Sequence, residues 1–255
     1  FIGHIKDVGS YAISGLAVTF PLMNISTALG TLVGVGASTI LSMLLGQRNY
    51  QAANKVIINE VMLNVIIGTL YTVITLVFLD PILMFFGASA NTLPYARDYM
   101  VIVLIGNVIT HLYFGLNNII RASGNPKLAM ALTIFTVVSN TILDPIFIFW
   151  LDMGIKGAAL ATVICQMLAL VYTVRYFLSG KNYLRLPRRM SEYRLDWRIA
   201  KDSLTVGMGP FLMNSAACIV TMFINQQLSK YGGDLAIGAY GIVNRFTFLF
   251  IMVNM

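Results

Sequence analysis

The chain has 255 residues, 58% of them hydrophobic and only 11% charged, where a soluble domain would carry roughly 25% charged residues. Its net charge of +7 raises the question of nucleic acid, but eight of the seventeen Lys and Arg residues fall between Arg175 and Lys201. One basic cytoplasmic loop explains that clustering better than a nucleic-acid surface, which would need a soluble domain to carry it, so no nucleic-acid partner is expected.

Seven apolar segments of about 20 residues or more are long enough to cross a bilayer. In chain order they are Leu16–Leu45, Val56–Leu79, Tyr99–Ile120, Leu128–Leu151, Gly157–Leu178, Leu204–Leu228 and Ala236–Met255. Runs this long and this uniformly apolar predict helices, since barrel strands are shorter and alternate. The fold class is therefore all-α, a polytopic transmembrane helix bundle in a lipid bilayer. Cys165 and Cys218 both sit inside apolar runs and define no disulfide framework.

The loops orient the chain. Their Lys and Arg content runs Lys6, then Arg48 and Lys55, then Arg97, then Arg121 and Lys127, then Lys156, then the eight of Arg175 to Lys201, then Lys230. Low and high alternate without a slip, so the richer loops are assigned to the cytoplasm and the segment before Leu16 to the outside. Impermeant cysteine labelling of intact cells should mark positions 7, 97 and 156 and spare positions 48, 121 and 188. Labelling at 188 with none at 97 would reverse the orientation.

An outside start without a signal peptide implies a further helix upstream, and the first segment is expected to leave an apolar face uncovered there. Lys6, Gly9, Ala12 and Ile13 align without gaps with Lys230, Gly233, Ala236 and Ile237 at an offset of 224. Both sets precede an inward-running helix, as expected for a parallel repeat of six helices. The expected organisation is an N-terminal lobe over 1–180, lacking its first helix, a cytoplasmic linker over 181–203 and the start of a second lobe over 204–255. Within the linker, Leu195, Trp197 and Ile199 alternate with Arg194, Arg198 and Lys201, and Asp196 is placed to cap a helix. An interfacial amphipathic helix and a solvated basic linker both fit this pattern.

Ionisable groups deep in a membrane helix are costly and mark function by default. Asp144, His111 and Arg245 qualify, whereas Glu60 and Arg175 fall within about a turn of a cytoplasmic end and are expected to snorkel. Asn140 lies one turn from Asp144 on the same face. Pro145 has no N–H to offer the Thr141 carbonyl, and the short loop Asp152–Lys156 returns Thr162 to nearly the depth of Asp144. A carboxylate, an amide oxygen and a hydroxyl thus converge, a hard-oxygen set suited to Na⁺ or to a proton. The bland alternative is a helix that ends early at Asp144-Pro145. For His111 the alternatives are a polar residue satisfied by a neighbouring helix and a proton relay. Arg245, Asn214, Pro21, Met23 and Asn24 are the candidates for lining a central cavity.

Asn140-Thr141-Ile142-Leu143-Asp144-Pro145, followed by Gly154-Ile155-Lys156-Gly157-Ala158-Ala159 and Ala161-Thr162, resembles the multidrug and toxic compound extrusion (MATE) family of bacterial type. So do Phe1-Ile2-Gly3-His4, Leu45-Gly46 with Ala52 and Ala53, and Arg121 to Gly124 before Pro126. The resemblance runs along the whole chain and implies twelve helices in two lobes, of which this chain holds the second to the eighth. It implies a proton or Na⁺ site at Asn140, Asp144 and Thr162, completed by an aspartate on the family's first helix, upstream of Phe1. Some members carry a further acid on the seventh helix, where Leu204–Leu228 offers Asn214, Asn225, Gln226 and Gln227.

The expected function is antiport. Na⁺ or H⁺ entry drives export of amphipathic, often cationic, small organic compounds by alternating access across the bacterial cytoplasmic (inner) membrane. The expected protein is multi-pass and monomeric, with no cofactor besides the coupling ion and no enzyme activity. The alternative is a lipid-linked saccharide flippase of the related superfamily, which needs several cavity-facing cations.

Overall fold

The computed structural model describes residues 9–179, 184–187 and 193–254, the side chains of residues 9–11, 234, 245 and 247–254 excepted. The described residues are helical without a strand. In order come α1 (Gly9–Gly46), α2 (Tyr50–Val77), α3 (Leu79–Phe85), α4 (Leu93–Ile105), α5 (Asn107–Ala122), α6 (Pro126–Pro145), a π-helical turn over Ile146–Trp150, α7 (Gly154–Leu178) and α8 (Trp197–Asn254). Five helices are long and apolar enough to cross a membrane, six if the bent pair α4–α5 counts as one span. The expected seventh segment is the part of α8 beyond Gly233, whose backbone (φ 67°, ψ −171°) breaks the helix.

Large hydrophobic side chains point outward around the bundle, among them Leu70 and Ile74 of α2, Ile134 and Val138 of α6, and Leu168 and Val171 of α7. In water such a belt would be a liability, and in lipid it is the solvated surface. Because lipid tails compete equally for apolar contact, helix association there rests on close packing and interhelical hydrogen bonds. Inside, one buried cluster joins Leu16, Leu83, Met100, Leu104 and Ile155. A second joins Leu41, Ile57, Tyr113, Ile119 and Phe177 with Leu184 and Leu186 of the linker.

The third expected span bends by 55° at Gly106. A Cβ at Gly106 would strike the Val163 side chain of α7, so the bend is packed hard against its neighbour. The sequence also hid α3, a seven-residue helix too short to leave a hydropathy signal.

Two expectations need correction. α1 leaves no broad apolar face bare: among its described residues Met43 is the one large hydrophobic strongly exposed, because α8 runs along it. Glycines set that crossing, with Gly36 against the Ser203 carbonyl, Gly207 against the Leu32 carbonyl and Gly241 against Ala17. Glu60 does not snorkel either; its relative exposure is 0%. α2 begins at Tyr50 rather than Val56, so Glu60 lies ten residues, about 15 Å, into the helix.

The linker is held by its backbone. Asn54 Oδ1 accepts from the Arg185 N–H and Asn59 Oδ1 from the Asp196 N–H, each at 2.8 Å. Asp196 Oδ1 in turn accepts from the Arg198 N–H at 3.1 Å, capping the start of α8. Of the residues that would form an interfacial helix, Trp197, Arg198, Ile199 and Lys201 open α8, while Arg194, Leu195 and Asp196 precede it. Arg188 and the rest of 188–192 lie outside the described residues, as do Asp7 and Phe1 to His4.

Candidate functional site

The site is built by α6 and α7. Asn140 and Asp144 stand one turn apart on α6, and Asn140 Nδ2 donates to Asp144 Oδ1 at 3.1 Å. The chain then passes through the π-helical turn and reverses over Asp152 (φ 51°) and Gly154 (φ 56°). Left-handed backbone at Gly154 carries no Cβ penalty. Gly157 lets α7 lie directly on the π-helical turn, since a Cβ there would fall 2.7 Å from the Phe147 carbonyl. That approach brings Thr162 within reach. Asn140 Nδ2 also donates to Thr162 Oγ1 at 3.1 Å, and the Thr162 hydroxyl donates to the Ala158 carbonyl at 3.0 Å.

Asn140 therefore bridges the carboxylate and the hydroxyl, and all three side chains are half-buried. The carboxylate oxygens, the Asn140 Oδ1 and the Thr162 Oγ1 are hard donors that fit an alkali cation or a proton. Among the described residues no group of three or more His, Cys, Asp and Glu is placed to hold a metal ion. Salt bridges lie elsewhere, at Arg97–Asp80 (3.5 Å) and Lys156–Asp98 (3.2 Å). All four groups are well exposed and contribute little.

Thr162 faces a cavity of about 220 Å³ between α1, α2, α4, α5 and α7. Met23 lines it, together with Ser26, Asn107, Thr110 and Gln166, and the Thr110 hydroxyl donates to Gln166 Oε1. Pro21, Asn24 and Asn214 lie apart from it. Pro21 is buried and its carbonyl accepts from Cys218 Sγ at 3.3 Å. Asn24 is half-buried outside the lining, and Asn214 ties α8 to α1 through a 3.4 Å bond to Thr31 Oγ1. The Arg245 side chain lies outside the described residues. Ser26, Asn107 and Gln166 escaped sequence reading, for single neutral polar residues in apolar runs give no signal of a shared cavity.

With this geometry in hand, the relatives can be placed. The MatE family profile matches residues 1–146. The chain belongs to the MATE family. It is 31% identical over 242 residues to the multidrug export protein MepA of Staphylococcus aureus strain MSSA476. It is 34% identical to MepA of Staphylococcus haemolyticus. Each alignment covers 95% of this chain and 52% of the relative, so the chain spans about half the length of the curated relatives it matches. Among solved MATE structures, an inward-facing multidrug resistance transporter of the MOP superfamily superposes with a TM-score of 0.91 at 25% identity. That match covers 98% of this chain and 57% of the other. The MATE multidrug transporter DinF-BH gives 0.88 at 34% identity over 96% of this chain and 54% of its own. The multi-pass helical membrane fold is that of MATE transporters.

Proposed function

We propose that the protein works as part of a cation-coupled exporter in the bacterial cytoplasmic membrane, with Asp144, Asn140 and Thr162 binding Na⁺ or H⁺. The observation that carries this reading is the convergence of the three side chains beside an interior cavity. Cation entry neutralises Asp144 and changes the hydrogen bonding of Asn140, which is bonded to both partners. That change reaches the cavity wall through Thr162. The names of the relatives, multidrug export proteins, support amphipathic organic compounds as cargo, moved as two lobes rock about a central site. Residues 1–180 then form the first lobe, 181–203 the connection and 204–255 the start of the second.

The flippase alternative is weaker. Pyrophosphate recognition needs cations facing the cavity, and none of the described lining residues is Lys or Arg.

Reconstituted vesicles loaded with a fluorescent cationic dye test the reading. An imposed Na⁺ or pH gradient should drive dye movement against its own gradient, and movement that ignores both gradients would reject coupling. Thr162→Ala should slow transport about fivefold, the equivalent of about 1 kcal/mol for one neutral hydrogen-bonding ligand, with the ion requirement retained.

A further inference from the structure

A second polar structure crosses the same bundle and is used by nothing above. On α2, Glu60, Asn64 and Gly68 are spaced i, i+4, i+8 and share one face. On α5, Asn107, His111 and Gly115 repeat every fourth residue, and on α1 Ser26, Gly30 and Gly34 do the same. The three faces meet. A Cβ at Gly30 would lie 3.9 Å from the His111 ring, and one at Gly68 would lie 3.6 Å from His111 Nδ1. At Gly115 it would collide with Glu60 Oε1 and approach Asn64 Nδ2 to 2.6 Å. The glycines make room for the polar side chains.

The hydrogen bonds fix the proton positions. The Ser26 hydroxyl donates to Asn107 Oδ1 at 2.6 Å, so its 3.0 Å contact with His111 Nε2 requires Nε2–H as donor. His111 Nδ1 is then a bare lone pair, and it is buried without a hydrogen-bond partner. Asn64 Nδ2 donates to Glu60 Oε1 at 2.5 Å, leaving Glu60 Oε2 and Asn64 Oδ1 buried and likewise without partners. Glu60 is 0%, Asn64 0% and His111 2% exposed. Among the described residues no ion pair reaches Glu60. A buried carboxylate with no counter-charge is expensive, whereas a neutral acid and a neutral imidazole carry no such cost.

We propose that this seam is a proton-binding site, separate from Asp144, in which Glu60 and His111 hold one proton between them with Asn64 lying between. In one form Glu60 is the neutral acid and His111 the Nε2–H imidazole. In the other Glu60 is the carboxylate and His111 the imidazolium, protonated at Nδ1, with the total charge unchanged. Ser26 and Asn107 line the cavity, so the seam runs from that cavity toward the end of the bundle where α2 begins.

Among the described residues no other carboxylate or histidine is buried with them. α1 has none between Phe20 and Gln47. On α2, Lys55 is exposed and the Tyr71 hydroxyl donates to the Leu22 carbonyl. On α5, the Tyr113 hydroxyl meets Thr136 and Arg121 is exposed; on α8, Arg198, Lys201 and Asp202 are exposed. Asp80 of α3 and Arg97 of α4 pair with each other near the opposite end of α2.

Infrared difference spectroscopy of the protein in lipid vesicles, with pH as the variable, tests the proposal. A carboxylic-acid C=O band should titrate, shift when glutamate carries a ¹³C carboxyl, and disappear in Glu60→Gln. The chain has two glutamates, Glu60 and Glu192. The band should survive Asp144→Asn, and His111→Gln should move its midpoint by at least one pH unit. A titrating band that follows Asp144 alone, the absence of a ¹³C-sensitive band, or a midpoint unmoved by His111→Gln would each overturn the site. Isotope labelling needs no substitution, so the test stands even where Glu60→Gln fails to insert. An Asp144→Asn protein that still pumps, with the glutamate band intact, would reject the coupling proposal and leave this one standing.

Discussion

Asp144→Asn should abolish ion-driven efflux while membrane insertion and yield stay at the unsubstituted level. The amide keeps the size of the carboxyl group and can still bond to Asn140, so the α6–α7 contact survives. It cannot accept a proton at neutral pH, and it offers an alkali cation a neutral dipole in place of a charge. Removing the charged ligand of the proposed site should cost far more than Thr162→Ala, which removes a neutral one. Dye efflux under an imposed Na⁺ or pH gradient should fall to the rate of protein-free vesicles, and downhill dye binding to the purified protein should persist. An Asp144→Asn protein that still pumps at half the original rate would sink the assignment.

Gly207→Ala is the substitution expected to damage stability most. At that crossing a Cβ on Gly207 would run into the Leu32 carbonyl of α1, and its counterpart on Gly36 into the Ser203 carbonyl of α8. Backbone cannot rotate away as a side chain tip can, so the helices must separate along their length. Overpacking of this kind costs about 3 kcal/mol, and a chain of this size loses about 2–4 °C in Tm per kcal/mol. The detergent-solubilised protein should therefore unfold roughly 6–12 °C lower. Gly209, two residues on, has open space where its Cβ would go, and Gly209→Ala should be neutral or slightly stabilising. Equal behaviour of the two variants would show that the crossing is looser than the packing implies.

The spans were legible because twenty apolar residues in a row admit one structure in lipid. The Asn140–Asp144–Thr162 geometry was legible because two of its members share a helix face and the third returns over a short loop. What escaped depends on depth and on neighbours. Glu60 looked like a residue near a helix end because the apolar run begins at Val56, yet the helix begins at Tyr50, among polar residues that hydropathy reads as loop. His111 was visible as an ionisable group in an apolar run, but its partners come from two other helices and share no local pattern with it. The bend at Gly106 follows from the fit against Val163, which a single helix cannot report.

Asn54 and Asn59 recognise peptide N–H groups of the linker, and every residue but proline supplies one. The grip on Arg185 and Asp196 is therefore blind to side-chain identity at those two positions. Evolution can change the charge between α7 and α8 without rewriting how the linker is seated. The count of basic residues there is then free to be set by which side of the membrane the segment must stay on, a selection that acts during insertion, before these two contacts exist.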